Sequence, residues 1–208
     1  MSWLVASLYD LMMQPSEREC VGAWRKELLA QLSGEVLEIG AGTGYNVPHY
    51  PRDLARLTLA EPDAAMRARL VARSADLERA GRVSVLNASA ETLPFPNASL
   101  DAVVGTLVLC TIADPGAALA EVRRVLKPRG QYVFLEHGAA AAGSTRLRWQ
   151  KRLEPLWRLG ADGCHLTRRA DDILVAAGFV IEHQKRESMR KALPFLRPTI
   201  RGIARRSD

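Results

Sequence analysis

The chain has 208 residues, 48% of them hydrophobic and 25% charged, with a formal net charge of +6. That length suits one domain burying about 70% of its unfolded surface, and the composition excludes a disordered chain. Cys20, Cys110 and Cys164 are odd in number and far apart, with no Cys-x-x-Cys pair. Neither a disulfide framework nor a structural zinc site is expected, and no metal is assigned.

No apolar run reaches the roughly 18 residues of a membrane span. The first ten residues lack the basic flank and long apolar middle of a signal peptide, so the cytoplasm is the expected compartment. Residues 185–208 carry eight Lys/Arg against two acids, which equals the whole charge surplus. They read as a solvated basic tail or as a surface meeting anionic lipid, giving a peripheral membrane contact. Nucleic acid is not an expected partner, because basic and aromatic residues do not interleave there. Nothing in the sequence bears on oligomeric state.

Trp3, Leu4, Leu8, Leu11 and Met12 fall at helical spacing. Pro15 should break that helix, and a second runs from about Ser16 to Gln31 with Ser16 and Glu19 as a capping box. Residues 1–33 thus form a helical segment that closes over a ligand, lies on a membrane or packs on the core. Residues 34–208 form the main domain. Val36, Leu37 and Ile39 read as a buried strand that stops in Gly40-Ala41-Gly42-Thr43-Gly44. Glycines at alternate positions let the backbone turn sharply and approach a ligand. A dinucleotide fingerprint would be Gly-x-Gly-x-x-Gly; here the spacing is Gly-x-Gly-x-Gly, with Glu38 two residues ahead.

Residues 54–60 predict a second strand ending at Glu61, 21 residues after Gly40. That spacing suits a carboxylate accepting hydrogen bonds from ribose hydroxyls. Pro62 opens the next helix and places Met66 to pack against an adenine. A third strand covers 83–86, a fourth leaves Asp101 and exits near Cys110, and a helix from Pro115 runs through Val125. Residues 131–137 are strand five, ending at His137. Residues 138–166 are a helical insertion over the site, and a helix at 167–177 precedes strand six at 179–183. A last strand near 198–204 pairs antiparallel at the edge. The alternation predicts an α/β fold, a mostly parallel seven-stranded sheet with helices on both faces and an antiparallel edge strand.

The acidic residue and glycine loop resemble motif one of the class I S-adenosyl-L-methionine (SAM)-dependent methyltransferases, a Rossmann-like family. Asn87-Ala88-Ser89-Ala90-Glu91-Thr92-Leu93-Pro94-Phe95 resembles their adenine segment, with Ser89 where the family has an aspartate. Thr106-Leu107-Val108-Leu109-Cys110, Leu135-Glu136-His137 and Asp162-Gly163-Cys164-His165-Leu166-Thr167-Arg168 are similar to the methyltransferase-like seven family, which acts on alkyl and aryl thiols. The resemblance spans residues 34–206 and implies SAM as cofactor. It places Glu38, Gly40, Ala41, Gly42, Thr43, Gly44 and Asn46 at its methionine end, and Glu61, Pro62 and Met66 at its adenosine. Ser89, Ala90 and Glu91 fall at the adenine, Thr106 and Leu107 at the rim. His137 is the candidate catalytic base, since a free thiol with pKa near about 8.5 must lose its proton to become a good nucleophile. The expected activity is methyl transfer to a small, fairly apolar acceptor, a thiol first. A phospholipid amine such as phosphatidylethanolamine and a SAM-binding protein without turnover are the alternatives.

Overall fold

The computed structural model describes residues 3–207, with side chains from residue 8 onward and for Ala6. The expected contacts of Trp3 and Leu4 lie outside the described side chains. Seven strands run β1 (Glu35–Ile39), β2 (Arg56–Ala60), β3 (Val83–Leu86), β4 (Leu100–Thr106), β5 (Leu126–His137), β6 (Phe179–Ser188) and β7 (Pro198–Arg206). They lie in the order β3-β2-β1-β4-β5-β7-β6. The first five are parallel, and β7 pairs antiparallel with both β5 and β6. The antiparallel strand is at the expected end of the sheet, one position in from the rim that β6 forms.

Alternation along each strand feeds two separate cores. Leu37, Ile39, Val103, Tyr132 and Phe134 face α4 (Pro115–Val125) and α6 (Ala170–Ala176), where Leu119, Val122 and Leu174 are fully buried. Val36, Ala102, Val104, Val133 and Leu135 face α2 (Gly22–Leu29) and α3 (Ala64–Arg79), meeting Leu28, Leu29 and Leu70. Strands covered on both faces read as apolar runs, which is why β1, β4 and β5 stand out in the sequence. Each fully buried Leu, Ile or Phe contributes about 1.5–3 kcal/mol.

From β1 the chain winds outward through β2 and β3, then returns to β4 on the other side. The strand order reverses there, and the carboxyl ends of strands at such a reversal are where open α/β sheets bind ligands.

The amino-terminal segment differs from its expected form. α1 (Trp3–Ser16) continues through a π-helical turn, Glu17–Val21, directly into α2. Pro15 sits inside the helix, and Ser16 keeps helical angles (φ −72°, ψ −38°) with no capping bond. The expected break and capping box are therefore absent. Proline crowds the preceding turn and removes one donor, yet the helix runs past it and then widens, so that Gly22 N–H reaches back to the Glu17 carbonyl. The extra residue brings Glu17 and Arg25, eight apart, onto one face. α5 (Thr145–Gly160) lies in the expected insertion, started by Ser144 accepting from the Leu147 amide.

Candidate active site

At the β1 tip, Gly40 and Gly42 both have φ 58° and Gly44 has φ 88°, backbone that L side chains rarely adopt. A Cβ on Gly40 would stand 2.2 Å from Val108 Cγ2, whereas one on Gly42 meets nothing closer than 4.0 Å. Gly42 thus faces open space, leaving its backbone free to lie against a ligand. Glu61, just beyond β2, holds the loop in that shape. Its Oε2 accepts from Gly42 N–H (2.8 Å) and its Oε1 from Asp63 N–H (2.9 Å). Burial pushes its carboxyl above the usual range. Each carboxylate oxygen has two acceptor sites, so this fork can also receive a pair of vicinal hydroxyls.

Beside it is a buried polar chain. Glu38 accepts from Asn46 Nδ2 (2.8 Å) and Tyr50 O–H (2.8 Å). Asn46 also donates to Thr106 Oγ1 (3.0 Å), and Arg25 donates to Asn46 Oδ1 (2.7 Å) and Thr106 Oγ1 (2.9 Å). Glu17 neutralises Arg25 at 2.9 Å. Burial pushes Glu38 up to about 7, against the pull of its hydrogen bonds and of Arg25. The helical segment is also pinned to the glycine loop through Asp10, which accepts from Thr43 Oγ1 (2.6 Å) and Arg69 (2.7 Å), while Tyr45 O–H donates to its carbonyl (3.0 Å).

On the β3 side, Met66 and Ala90 are buried. The Pro62 carbonyl accepts from Arg67. The Ser89 hydroxyl donates to the Glu91 carboxylate, so its proton is directed within its own turn. At the β4 tip Leu107 takes φ 56°, a left-handed conformation that costs a non-glycine residue about 1–3 kcal/mol and marks the rim as strained.

A second buried group lies past β4 and β5. His137 Nε2 stands 3.1 Å from Cys164 Sγ, and donor atoms of Cys110, His137 and Cys164 all fall within 4.8 Å of one another. Cys110 and then His137 hold the Cys164 thiol well below its ordinary range, while Cys110 is pushed up. Next to His137, Glu136 accepts from the Val108 and Leu109 amides (both 3.0 Å), fixing the loop that carries Cys110.

The residues expected from the sequence therefore occupy the carboxyl ends of four neighbouring strands, with Glu38, Asn46 and Thr106 directly bonded and Glu61 bonded to Gly42. His137 is not bonded to that set; it belongs with the two thiols. Sequence reasoning missed Arg25, Tyr50 and Glu136. Arg25 was legible only as a cation on an otherwise apolar helix face, and Glu136 as an acid at the end of an apolar strand.

The methyltransferase domain family matches residues 37–134. Human thiol S-methyltransferase TMT1B is 34% identical over 202 residues, covering 92% of this chain and 82% of that protein. The rat TMT1B match, 39% identical over 153 residues, covers 69% of this chain and 62% of that protein, just under two thirds of its length. The geranyl diphosphate C-methyltransferase of Streptomyces coelicolor A3(2), solved with S-adenosyl-L-homocysteine, superposes with a TM-score of 0.71 at 14% identity, covering 89% of this chain and 79% of that one. With the glycine loop, the tethering carboxylate and the strand order in place, the cofactor is SAM, and the chain belongs to the class I SAM-dependent methyltransferases, in the family that contains the thiol S-methyltransferases.

Proposed function

We propose that the protein methylates a small, fairly apolar thiol. The observation that carries this reading is a thiol–imidazole cluster past β4 and β5, with β4 lying beside the β1 strand that carries the glycine loop. Bound SAM supplies a methyl carbon on a cationic sulfur; the thiolate electron pair forms the new carbon–sulfur bond, the old bond's pair stays on S-adenosylhomocysteine, and the thiol proton passes to solvent.

Glu61 receives the ribose hydroxyls, Met66 and the 89–91 turn border the adenine, and Glu38 with Asn46 faces the methionine end. His137, Cys110 and Cys164 face the acceptor. The 3–29 helix acts as a lid latched by Asp10, excluding water from the reacting atoms. Replacing Asp10 with alanine removes charge-assisted bonds at a partly exposed site, about 1–2 kcal/mol. SAM should then dissociate roughly tenfold faster in stopped-flow measurements; an unchanged rate would mean the helix is not a latch.

The experiment is a mass-spectrometric methyl-transfer screen over thiols, amines, phenols and quinone precursors, with wild type and His137→Ala. Thiol products that disappear in the variant, with SAM affinity kept, support the reading. Cofactor binding without product across the panel supports a SAM-binding protein instead.

One observation favours a lipid-amine acceptor as second reading. On the outward face of α5, Trp149, Leu156 and Leu159 are 53%, 73% and 86% exposed, with Arg152 over the Trp149 ring at 5.8 Å and Arg148 alongside. Apolar side chains interleaved with bases suit a membrane interface, each base contributing about 1 kcal/mol on anionic lipid. Vesicles containing phosphatidylserine should sediment the protein, and Leu156→Glu with Leu159→Glu should release it. Methylation of phosphatidylethanolamine in those vesicles, with soluble thiols untouched, would make this the better reading.

A further inference from the structure

We propose that Cys110 Sγ, His137 Nε2 and Cys164 Sγ form a Zn²⁺ site whose fourth position takes the acceptor thiol. This inference rests on the methyl-transfer reading and names how its acceptor is held.

Two thiolates and one imidazole with an open position are a donor set used by catalytic zinc. With Zn–S near 2.3 Å and Zn–N near 2.0 Å, tetrahedral ligands stand about 3.5–3.8 Å apart. Here His137 Nε2 and Cys164 Sγ are 3.1 Å apart and every pair lies within 4.8 Å, so shifts of about half an ångström to one ångström seat the ion. All three side chains are at least nine-tenths buried. A metal held there would be shielded from bulk chelators and close to strand tips that border the cofactor cradle.

The donors come from three separate segments that are tied to one another. Glu136 fixes the Val108 and Leu109 amides ahead of Cys110. Arg168 bonds the Leu109 and Ile112 carbonyls on either side of it (2.5 and 2.6 Å). The His165 amide donates to the Cys110 carbonyl (2.8 Å), joining the two cysteine segments. Glu154 of α5 receives the Thr167 amide (2.9 Å) and His165 Nδ1 (3.0 Å), holding the segment after Cys164. Such support presets the two cysteine segments, while the buried His137 Nδ1 has no partner among the described residues. Because the ligands lie 27 residues apart twice over, no local cysteine motif announces them.

The chemistry balances without any redox partner. An incoming thiol displaces solvent from the ion and releases its proton to water, leaving a metal-held thiolate at neutral pH. The thiolate pair attacks the methyl carbon, and the thioether formed is a poor ligand that departs. Zinc thus does what a free thiol with pKa near about 8.5 cannot, keeping the acceptor ionised in a buried site.

The test uses the full 208-residue chain, dialysed against Zn²⁺ alone and then desalted. Plasma mass spectrometry should find about one ion per chain, and cobalt exchanged for zinc should show four-coordinate d–d bands with thiolate charge transfer. Adding a small alkyl thiol should shift those bands. Cys110→Ser and Cys164→Ser should each weaken metal retention at least about tenfold, with SAM binding by calorimetry reporting that the fold survives. No retained zinc and no cobalt bands in the wild-type chain overturn the proposal, as does a Cys110–Cys164 disulfide in the active protein. Unchanged thiol methylation by fully metal-free protein sinks the zinc and leaves the methyl-transfer reading standing. Zinc bound with thiol-sensitive bands but no methyl product does the reverse.

Discussion

Glu61→Ala is expected to weaken SAM binding at least about 100-fold. The side chain ties Gly42 and Asp63 in place, and in the proposed reading its two oxygens also receive the ribose hydroxyls. A hydrogen bond to an ionised group contributes about 1.5–3 kcal/mol, so losing the ribose pair removes about 3–6, and each 1.4 kcal/mol is tenfold in affinity. The loop tether goes at the same time, leaving the Gly42 N–H without its acceptor. Glu61→Gln makes the argument sharper. Its single oxygen can still serve one backbone amide, but its NH₂ group faces the other, so the loss should be smaller than for alanine and still measurable. Calorimetric titration with SAM checks both variants, and thermal melts check that β2 keeps its place. Normal affinity in Glu61→Ala would remove the ribose assignment.

What the sequence made legible follows from how the signals are carried. The glycine loop, the apolar strands and the acid after β2 are local patterns, and each appears where its spacing puts it. Pro15 misled because a proline removes only one donor, and a helix backed by tertiary packing can run past it. The order of β6 and β7 was not legible either, since a hairpin reads the same whichever of its strands lies outermost. The site splits in the same way. Glu38, Gly42 and Glu61 sit on β1, the loop after it and the end of β2, so their distances follow from a short run of residues. Cys110, His137 and Cys164 meet only because β4, β5 and the end of the insertion converge, and no periodicity encodes that meeting.

The buried polar chain also explains why the amino-terminal helix belongs to the site. Arg25 is a fully desolvated cation whose cost is offset only while Glu17, Asn46 and Thr106 surround it. Lifting the helix would expose Arg25 to water and strip Asn46 and Thr106 of a donor. Lifting the helix and rearranging this polar chain would thus be one event.

The second large effect concerns pH. Glu38 is raised from 4.5 to about 7, chiefly by burial. Between those values the unfolded carboxyl has lost its proton while the folded one keeps it, so stability falls as pH rises through that window and levels off above about 7. A shift of this size corresponds to about 3 kcal/mol in full, and about 2 kcal/mol between roughly pH 5.5 and 8. The charged and titrating neighbours are Arg25, Glu61 and Tyr50. Glu38→Gln has nothing to titrate, and its amide can still bond the chain, because the Tyr50 hydroxyl can turn to accept. The variant should therefore lose less stability than wild type over the same range, by about 2 kcal/mol in urea melts. SAM brings a sulfonium and an ammonium, which favour the ionised carboxylate, so saturating cofactor should shrink the wild-type slope and leave that of the variant unchanged. Calorimetry near pH 6.5 in buffers of different ionisation enthalpy should register proton release on SAM binding to wild type only. Equal slopes in the two proteins would mean that Glu38 is already ionised before the cofactor arrives.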